Sequence, residues 1–417
     1  MVKEKGNCLV AEAGGPWAVI NASLYGVIKE AQKHREISKI LGSRHGIEGM
    51  LNDEIVDLGW EDEKTIEGLK KTPGAALGGT RTRLRSSKLV AHSDLQKAFD
   101  VLKKYDVKYL FYLGGNDSMD TAYKLSHAAK ETDYDLQVIG VPKTGDNDLL
   151  ETDHSLGYGS AAKYVAASVR EAGLHTESMY TAEPVTILVT VGRNTGWLPA
   201  ASALAREGKK TAPHLIYLPE VPLIREKFLA DVEKTCREVG GAFIVTGEGL
   251  VDEEGRYLAA EDDEVSKDGF GHPELGGVGE YLEELIQKNL KKNARTVKLD
   301  ICQQSAMHFA SQTDLDEAIM LGRQAVEFAL QGKNGIMVTL QREEKEPYHC
   351  HVGSIALEKV ANKERKFPPQ WINKEGNYVT SNFLSYVRPL ILGEVHVNIE
   401  EGLPVYARLK MIKAEPE

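Results

Sequence analysis

The feature that most restricts how this chain can fold is a recurring unit. Short, almost unbroken apolar runs occur at residues 8–11, 109–113, 138–141, 185–191, 214–218, 242–246 and 336–340. Runs of this length with no polar face read as strands covered on both sides. Amphipathic stretches follow most of them. Ser93 can cap a helix over 94–104, and 160–172 and 227–239 repeat apolar residues every three or four positions. Thr313 or Asp314 can start a further helix that runs to about Leu330 and ends near Gly332. Strands alternating with helices imply an α/β chain whose mainly parallel sheets carry helices on both faces.

The length, 417 residues, favours two lobes over one. Lys and Arg number 51 against 62 Asp and Glu, a net charge of −11. That balance argues against a large surface for nucleic acid or an anionic membrane. No apolar run approaches the roughly 20 residues that cross a bilayer, and the chain is expected in the cytoplasm. Cys8, Cys236, Cys302 and Cys350 include no CxxC pair and are expected as reduced thiols. In His349-Cys350-His351, neighbouring side chains on an extended segment point to opposite faces, so no metal set is expected there. Residues 252–268 are acidic and read as a solvated surface loop.

In open α/β sheets, ligands bind beyond the carboxyl ends of the strands, and several strand ends here carry chemistry. Gly14-Gly15 follows the first run; paired glycines let backbone N–H groups approach an anion, although a plain tight turn explains them equally. Gly114-Gly115-Asn116-Asp117-Ser118 opens another helix, with a carboxylate where an anion would bind, or simply an N-cap. Lys143-Thr144-Gly145-Asp146-Asn147-Asp148 sets two carboxylates two residues apart behind a Lys and a Thr. Gly192-Arg193 puts a cation before a helix, and Leu77-Gly78-Gly79-Thr80-Arg81 puts another in a Gly-rich turn. Gly208-Lys209-Lys210-Thr211 is no P-loop, because Ala203 stands where that motif needs Gly. Glycine turns, an Asp pair, a Lys and two Arg at strand ends are the equipment of Mg²⁺-assisted phosphoryl transfer.

With these motifs in order, the chain resembles a phosphofructokinase, and within that family the pyrophosphate-dependent branch. The resemblance runs from Gly14-Gly15 to residues 386–390. It rests on residues 114–121, 142–149 and 192–198, on Leu218-Pro219-Glu220 and on Glu248-Gly249. It implies two Rossmann-like lobes: a phosphoryl-donor lobe of residues 1–155 and about 303–355, and a sugar-acceptor lobe of 156–302 and about 356–417. It implies Asp146 as the base for the sugar 1-hydroxyl, Arg193 steadying the phosphoryl group, and Thr144 touching it. Asp148, Asp117 and Asn116 would lie at Mg²⁺. Gly14, Gly15, Arg81, Asp117 and Lys143 would serve pyrophosphate. Asp117 and Lys143 stand where ATP-using relatives have Gly, so Asp117 would repel the α-phosphate of ATP. Glu220, Gly192, Arg295 and Gln304 fall at acceptor positions. The resemblance also implies a homodimer or homotetramer and a reversible step of glycolysis and gluconeogenesis.

Some residues depart from the family pattern. Gln304 replaces an Arg, Pro184 replaces a basic residue, and Ile301 takes a position often His or Tyr; Arg295 fits an Arg that some relatives supply across the subunit interface. Losing two charge-assisted contacts weakens sugar-phosphate binding by roughly two to four orders of magnitude, unless Arg295 or Lys298 compensates. Gly145 replaces a branched apolar residue and is expected to loosen the Asp146 loop. Trp17, where a small residue is usual, is expected to narrow the donor site. Three functions stay open on the sequence: transfer from pyrophosphate to fructose 6-phosphate; transfer to another, unphosphorylated sugar or polyol; and a non-catalytic regulatory paralogue.

Overall fold

The computed structural model describes residues 5–84, 93–258, 275 and 277–416. The acidic stretch expected as a loop lies within them only at 252–258; the remainder falls outside the described residues. The chain divides into two compact units: Met1–Gly157 with Gln312–Glu364 and Gly393–Glu417, and Tyr158–Ser311 with Arg365–Leu392.

The first unit is built on a seven-stranded sheet. Its strands are β1 (Gly6–Glu12), β2 (Ile37–Ser43), β3 (Ile55–Asp57), β4 (Val107–Gly114) and β5 (Gln137–Pro142). The second unit supplies β6 (Val185–Thr190), β7 (Leu215–Tyr217), β8 (Ala242–Gly247) and β9 (Ala294–Lys298), and the chain then returns with β10 (Ile336–Arg342) and β11 (Cys350–Ala356). The first sheet has the order β11-β10-β5-β4-β1-β2-β3. Its inner strands run parallel, and β3 and β11 close the two edges antiparallel. The second sheet, β7-β8-β6-β9, is parallel throughout.

The apolar runs became the strands of the two cores. Every residue of β1, β6 and β8 is buried, as helices on both faces require. β2, β3, β9 and β11 gave no such run. They lie at or next to sheet edges, and Ile37–Ser43 and Ala294–Lys298 mix polar and apolar side chains. Ser93 caps Asp94–Lys104 as expected, its Oγ accepting from the Gln96 N–H at 3.1 Å. The helix expected from residue 313 or 314 spans Gln312–Leu330, and Gly332 follows it at φ +84°.

Later boundaries differ from expectation: residues 303–311 belong to the second unit and 356–364 to the first. Residues 393–417 return to the first unit instead of ending the second. Val56 bridges Lys413 antiparallel. The Asp57 and Ala414 N–H groups donate to the Ile412 and Ile55 carbonyls, each at 2.9 Å. An edge strand leaves a row of unpaired backbone groups, and the tail satisfies those of β3.

Candidate active site

In the first unit, β1, β4 and β5 are neighbours and parallel, with Glu12 opposite Leu113 and Gly114 opposite Pro142. Their carboxyl ends therefore reach one edge of the sheet together. That places Gly14-Gly15, Asn116-Asp117 and the segment from Lys143 to Asp148 side by side.

Gly14 sits at φ +75°, a backbone that L side chains rarely adopt, and its N–H donates to the Thr80 carbonyl at 2.8 Å. A Cβ there would lie 3.0 Å from Lys143 Nζ. Lys143 is 4% exposed and donates to the Gly15 carbonyl at 2.7 Å. Burial pulls its pKa down to about 8, against the raising effect of Asp146, Asp148 and Glu12. Thr144 Oγ1 accepts from the Asp146 N–H at 3.2 Å and so orients the start of that residue.

Asn116 Nδ2 donates to Asp148 Oδ2 at 2.9 Å. This leaves Asn116 Oδ1 and Asp148 Oδ1 buried without a hydrogen-bond partner. Burial, then the Asp146 charge, push the Asp148 carboxyl up to about 7. Two adjacent oxygen acceptors with nothing to accept from suit a hard divalent cation.

Two contributors escaped the sequence reading. Arg83 forms an ion pair with Asp117 Oδ1; its alternation with Arg81 was the available hint. Arg81 itself is exposed, and its charge acts on Lys143. Glu12 is fully buried at the end of β1, its Oε2 accepting from the Leu77 N–H at 2.8 Å, and burial raises it to about 8. An acidic residue closing an otherwise apolar run was the signal for it.

The expected loosening at Gly145 is corrected by packing. A Cβ on Gly145 would collide with the six-membered ring of Trp17, which is 4% exposed. The indole occupies the space that a branched side chain at 145 would take, so Trp17 and Gly145 form one exchange and the loop stays filled.

In the second unit β6, β7 and β8 also end together, Thr190 opposite Gly247 and Tyr217 opposite Thr246. Gly192, at φ +119°, turns the chain into Arg193, which is half-buried. Glu220 Oε1 accepts from the Gly196 and Phe367 N–H groups at 3.0 and 2.8 Å. Its Oε2 is buried without a partner, and burial raises its pKa. Beneath it Trp197, 2% exposed, packs edge-on against Phe367 and Trp371 at centroid distances of 5.1 and 5.9 Å. This aromatic floor sets the two amides that hold Glu220.

Of the other acceptor candidates, Arg295 lies at the opposite end of the sheet, while Gln304 follows the carboxyl end of β9, which runs parallel to β6. Arg295 is the second residue of β9, opposite Thr186 near the amino end of β6, and pairs with Glu183 Oε2 at 2.6 Å. Gln304 is half-buried on the short helix Cys302–Ser305 beyond β9. Cys350 is buried while His349 and His351 are exposed, as their alternation required. Among the described residues, no helix is long and apolar enough to cross a membrane.

The profile of the Phosphofructokinase family matches residues 7–329. The chain is 41% identical to a pyrophosphate–fructose 6-phosphate 1-phosphotransferase of Xanthomonas campestris pv. campestris (strain B100), covering 98% of this chain and 97% of the relative. A pyrophosphate-dependent phosphofructokinase structure from Nitrosospira multiformis superposes with a TM-score of 0.89 at 35% identity, over 99% of this chain and 98% of that one. A sulfofructose kinase of Alkalicoccus urumqiensis is 32% identical, over 88% and 92% of the two chains.

Proposed function

The chain belongs to the phosphofructokinase family, and from that premise we propose that it moves a phosphoryl group from pyrophosphate to the 1-hydroxyl of fructose 6-phosphate. The product is fructose 1,6-bisphosphate, and the reaction is reversible and Mg²⁺-dependent. The observation that carries this reading is Lys143: a buried cation at the joint of the Gly14-Gly15 turn and the Asp pair. A small, highly charged anion neutralises it, and the carboxylate of Asp117, at the start of the helix after β4 and paired with Arg83, disfavours the longer chain of a nucleotide.

Asp146 takes the proton of the sugar hydroxyl, its backbone steadied by Thr144. Asp148 and Asn116 offer the orphaned oxygens that would hold Mg²⁺. When bound, Mg²⁺ supplies positive charge to the phosphates. Arg83 keeps Asp117 oriented and offsets part of its charge. Arg193 meets the charge that develops on the phosphoryl group. Glu220 presents Oε2 to sugar hydroxyls while two amides hold Oε1. The protein works in the cytoplasm as a homodimer or homotetramer, with no role for nucleic acid or membrane.

A second reading keeps the donor and changes the acceptor. Arg295 is already engaged by Glu183, and Gln304 carries no charge. A relative bearing the name sulfofructose kinase supports this reading. A regulatory paralogue is disfavoured, since it has no use for Lys143, Asp146 and Asp148 together. The test is phosphate release from pyrophosphate with Mg²⁺, with and without fructose 6-phosphate, beside sulfofructose, free sugars and polyols. Rapid turnover of fructose 6-phosphate supports the first reading. An inert fructose 6-phosphate with another working acceptor transfers support to the second.

A further inference from the structure

The loop carrying Asp146 and Asp148 leaves β5 and is closed at its base, where the Thr144 N–H donates to the Leu156 carbonyl at 3.1 Å. Within it, buried Asn147 accepts from the Ser155 N–H at 2.9 Å. Its far side holds His154, 1% exposed and unused by the mechanism above. Nδ1 of His154 lies 2.8 Å from Asp153 Oδ2, and Nε2 lies 2.7 Å from Glu317 Oε2. Glu317 belongs to the helix Gln312–Leu330. Asp153 is gripped in turn by Arg342 of β10, whose Nη2 donates to it at 2.9 Å. Tyr348 donates to Glu317 Oε1 at 2.7 Å and lies 3.1 Å from Cys350 Sγ. The charged and titratable groups around the ring are thus Asp153 from its own loop, Glu317 from the helix, Arg342 from β10, and Tyr348 with Cys350 from β11 and the turn before it.

A neutral imidazole donates at one nitrogen only. Carboxylates within hydrogen-bond reach of both nitrogens call for two N–H groups, so the ring is an imidazolium. Burial opposes that charge, but Glu317 and Asp153 outweigh it, and the pKa stands at about 9. Asp153, His154 and Cys350 also lie close enough together for a metal. Both ring nitrogens are already committed, however, and burial pushes the Cys350 thiol up to about 12, so the cluster favours the proton.

We propose that His154 is a positioning residue for phosphoryl transfer: as a buried imidazolium it ties the loop bearing Asp146 and Asp148 to the helix Gln312–Leu330 and to β10. It touches no substrate, and its role rests on the reading of Asp146 as the base. The loop keeps other ties when the ring is lost, because the Asp153 N–H donates to the Leu340 carbonyl at 2.8 Å and Thr152 Oγ1 accepts from the Leu340 N–H at 2.9 Å. Removing the ring therefore shifts the carboxylates without unfolding the unit.

Two variants and one spectrum test this. In His154→Gln, kcat falls by about 10- to 100-fold, as expected for a misplacement near 1 Å, while KM for pyrophosphate changes little. In Glu317→Gln the ring loses one carboxylate, and the alkaline limit of kcat moves down by about one pH unit. Lys143 titrates in a similar range but answers to Asp146, Asp148, Glu12 and Arg81, so its contribution stays in place. Independently of activity, histidine-labelled wild type at pH 8 should show both His154 ring nitrogens protonated, assigned by comparison with His154→Gln. A neutral ring at pH 8, or an unmoved alkaline limit in a working Glu317→Gln enzyme, overturns this inference alone. A wild type inactive with every acceptor overturns it together with the function it rests on.

Discussion

The two strand-end clusters differ in how they manage charge before any ligand arrives. The first unit crowds Glu12, Asp117, Asp146, Asp148, Lys143, Arg81 and Arg83 onto one sheet edge and cross-links them, Asn116 to Asp148, Arg83 to Asp117, Lys143 to the Gly15 carbonyl. Three of these groups, Glu12, Lys143 and Asp148, are displaced toward neutral pH by burial. The second unit presents Arg193 and a Glu220 anchored by backbone amides over an aromatic floor, and commits Arg295 to Glu183. The lesson is one of ligand chemistry. Under the proposed function, a compact, highly charged donor demands preorganised charge of both signs, whereas neutral sugar hydroxyls need directional acceptors and a firm wall.

Breaking the first cluster should give the largest effects. Asp146→Asn should lower kcat by about 10³-fold, the usual scale for removing a general base, with KM for pyrophosphate little changed in a coupled phosphate assay. Lys143→Met should cost roughly 10- to 100-fold in kcat/KM for pyrophosphate, one charge-assisted contact. The wild type should show the same loss by pH. Lys143 is charged below about 8 and loses its charge above it, so KM for pyrophosphate should climb as pH rises through that value. A flat profile across pH 7–9 would show that Lys143 does not hold the donor.

The second cluster should answer more narrowly. Glu220→Gln should raise KM for the sugar about tenfold, on the scale of one hydrogen bond to a charged group, and leave KM for pyrophosphate alone; equal effects on both substrates would erase the contrast between the clusters. Gly145→Ala should destabilise the protein by about 1–3 kcal/mol, since the new methyl overpacks against Trp17. Adding Trp17→Ala should recover part of that loss in thermal melts, as expected for coupled neighbours. His154 adds a smaller pH term. Its folded pKa is raised above its ordinary value of 6.5, so its stabilisation is fully present below about pH 6.5 and is lost as pH rises through about 9. The melting midpoint of the wild type should therefore fall faster than that of His154→Gln between pH 7 and 10. Arg295→Ala should leave the thermal melting midpoint nearly unchanged, because the pair with Glu183 is exposed. A large loss of activity in that variant would mean that Arg295 serves the acceptor.

Much of the fold was legible because strands buried on both faces must be apolar throughout. β1, β4, β5, β6, β8 and β10 could be read that way, and so could the helices Asp94–Lys104, Tyr158–Met179, Arg225–Val239 and Gln312–Leu330. β9 and β11 could not, since edge strands have one side open and tolerate Lys, Arg and Ser. The strand-end motifs were legible for a related reason: Gly, Asn and Asp gather where a buried strand gives way to a turn. Arg83 and Glu12 were not, because an Arg after a turn and a Glu in a strand acquire meaning only from what folds against them.

The sequence by itself determined the βα alternation, the segments that end the strands and the family they resemble, since periodicity and residue type are local properties. Only the tertiary structure decided that Trp17 fills the space above Gly145 and that residues 393–417 close the edge of β3. Only it decided that His154 lies between the carboxylates of its neighbour Asp153 and of Glu317, 163 residues further along the chain. Those facts depend on which distant segments meet, and contact between segments far apart in the chain is fixed by packing and by the need to pair every buried polar group.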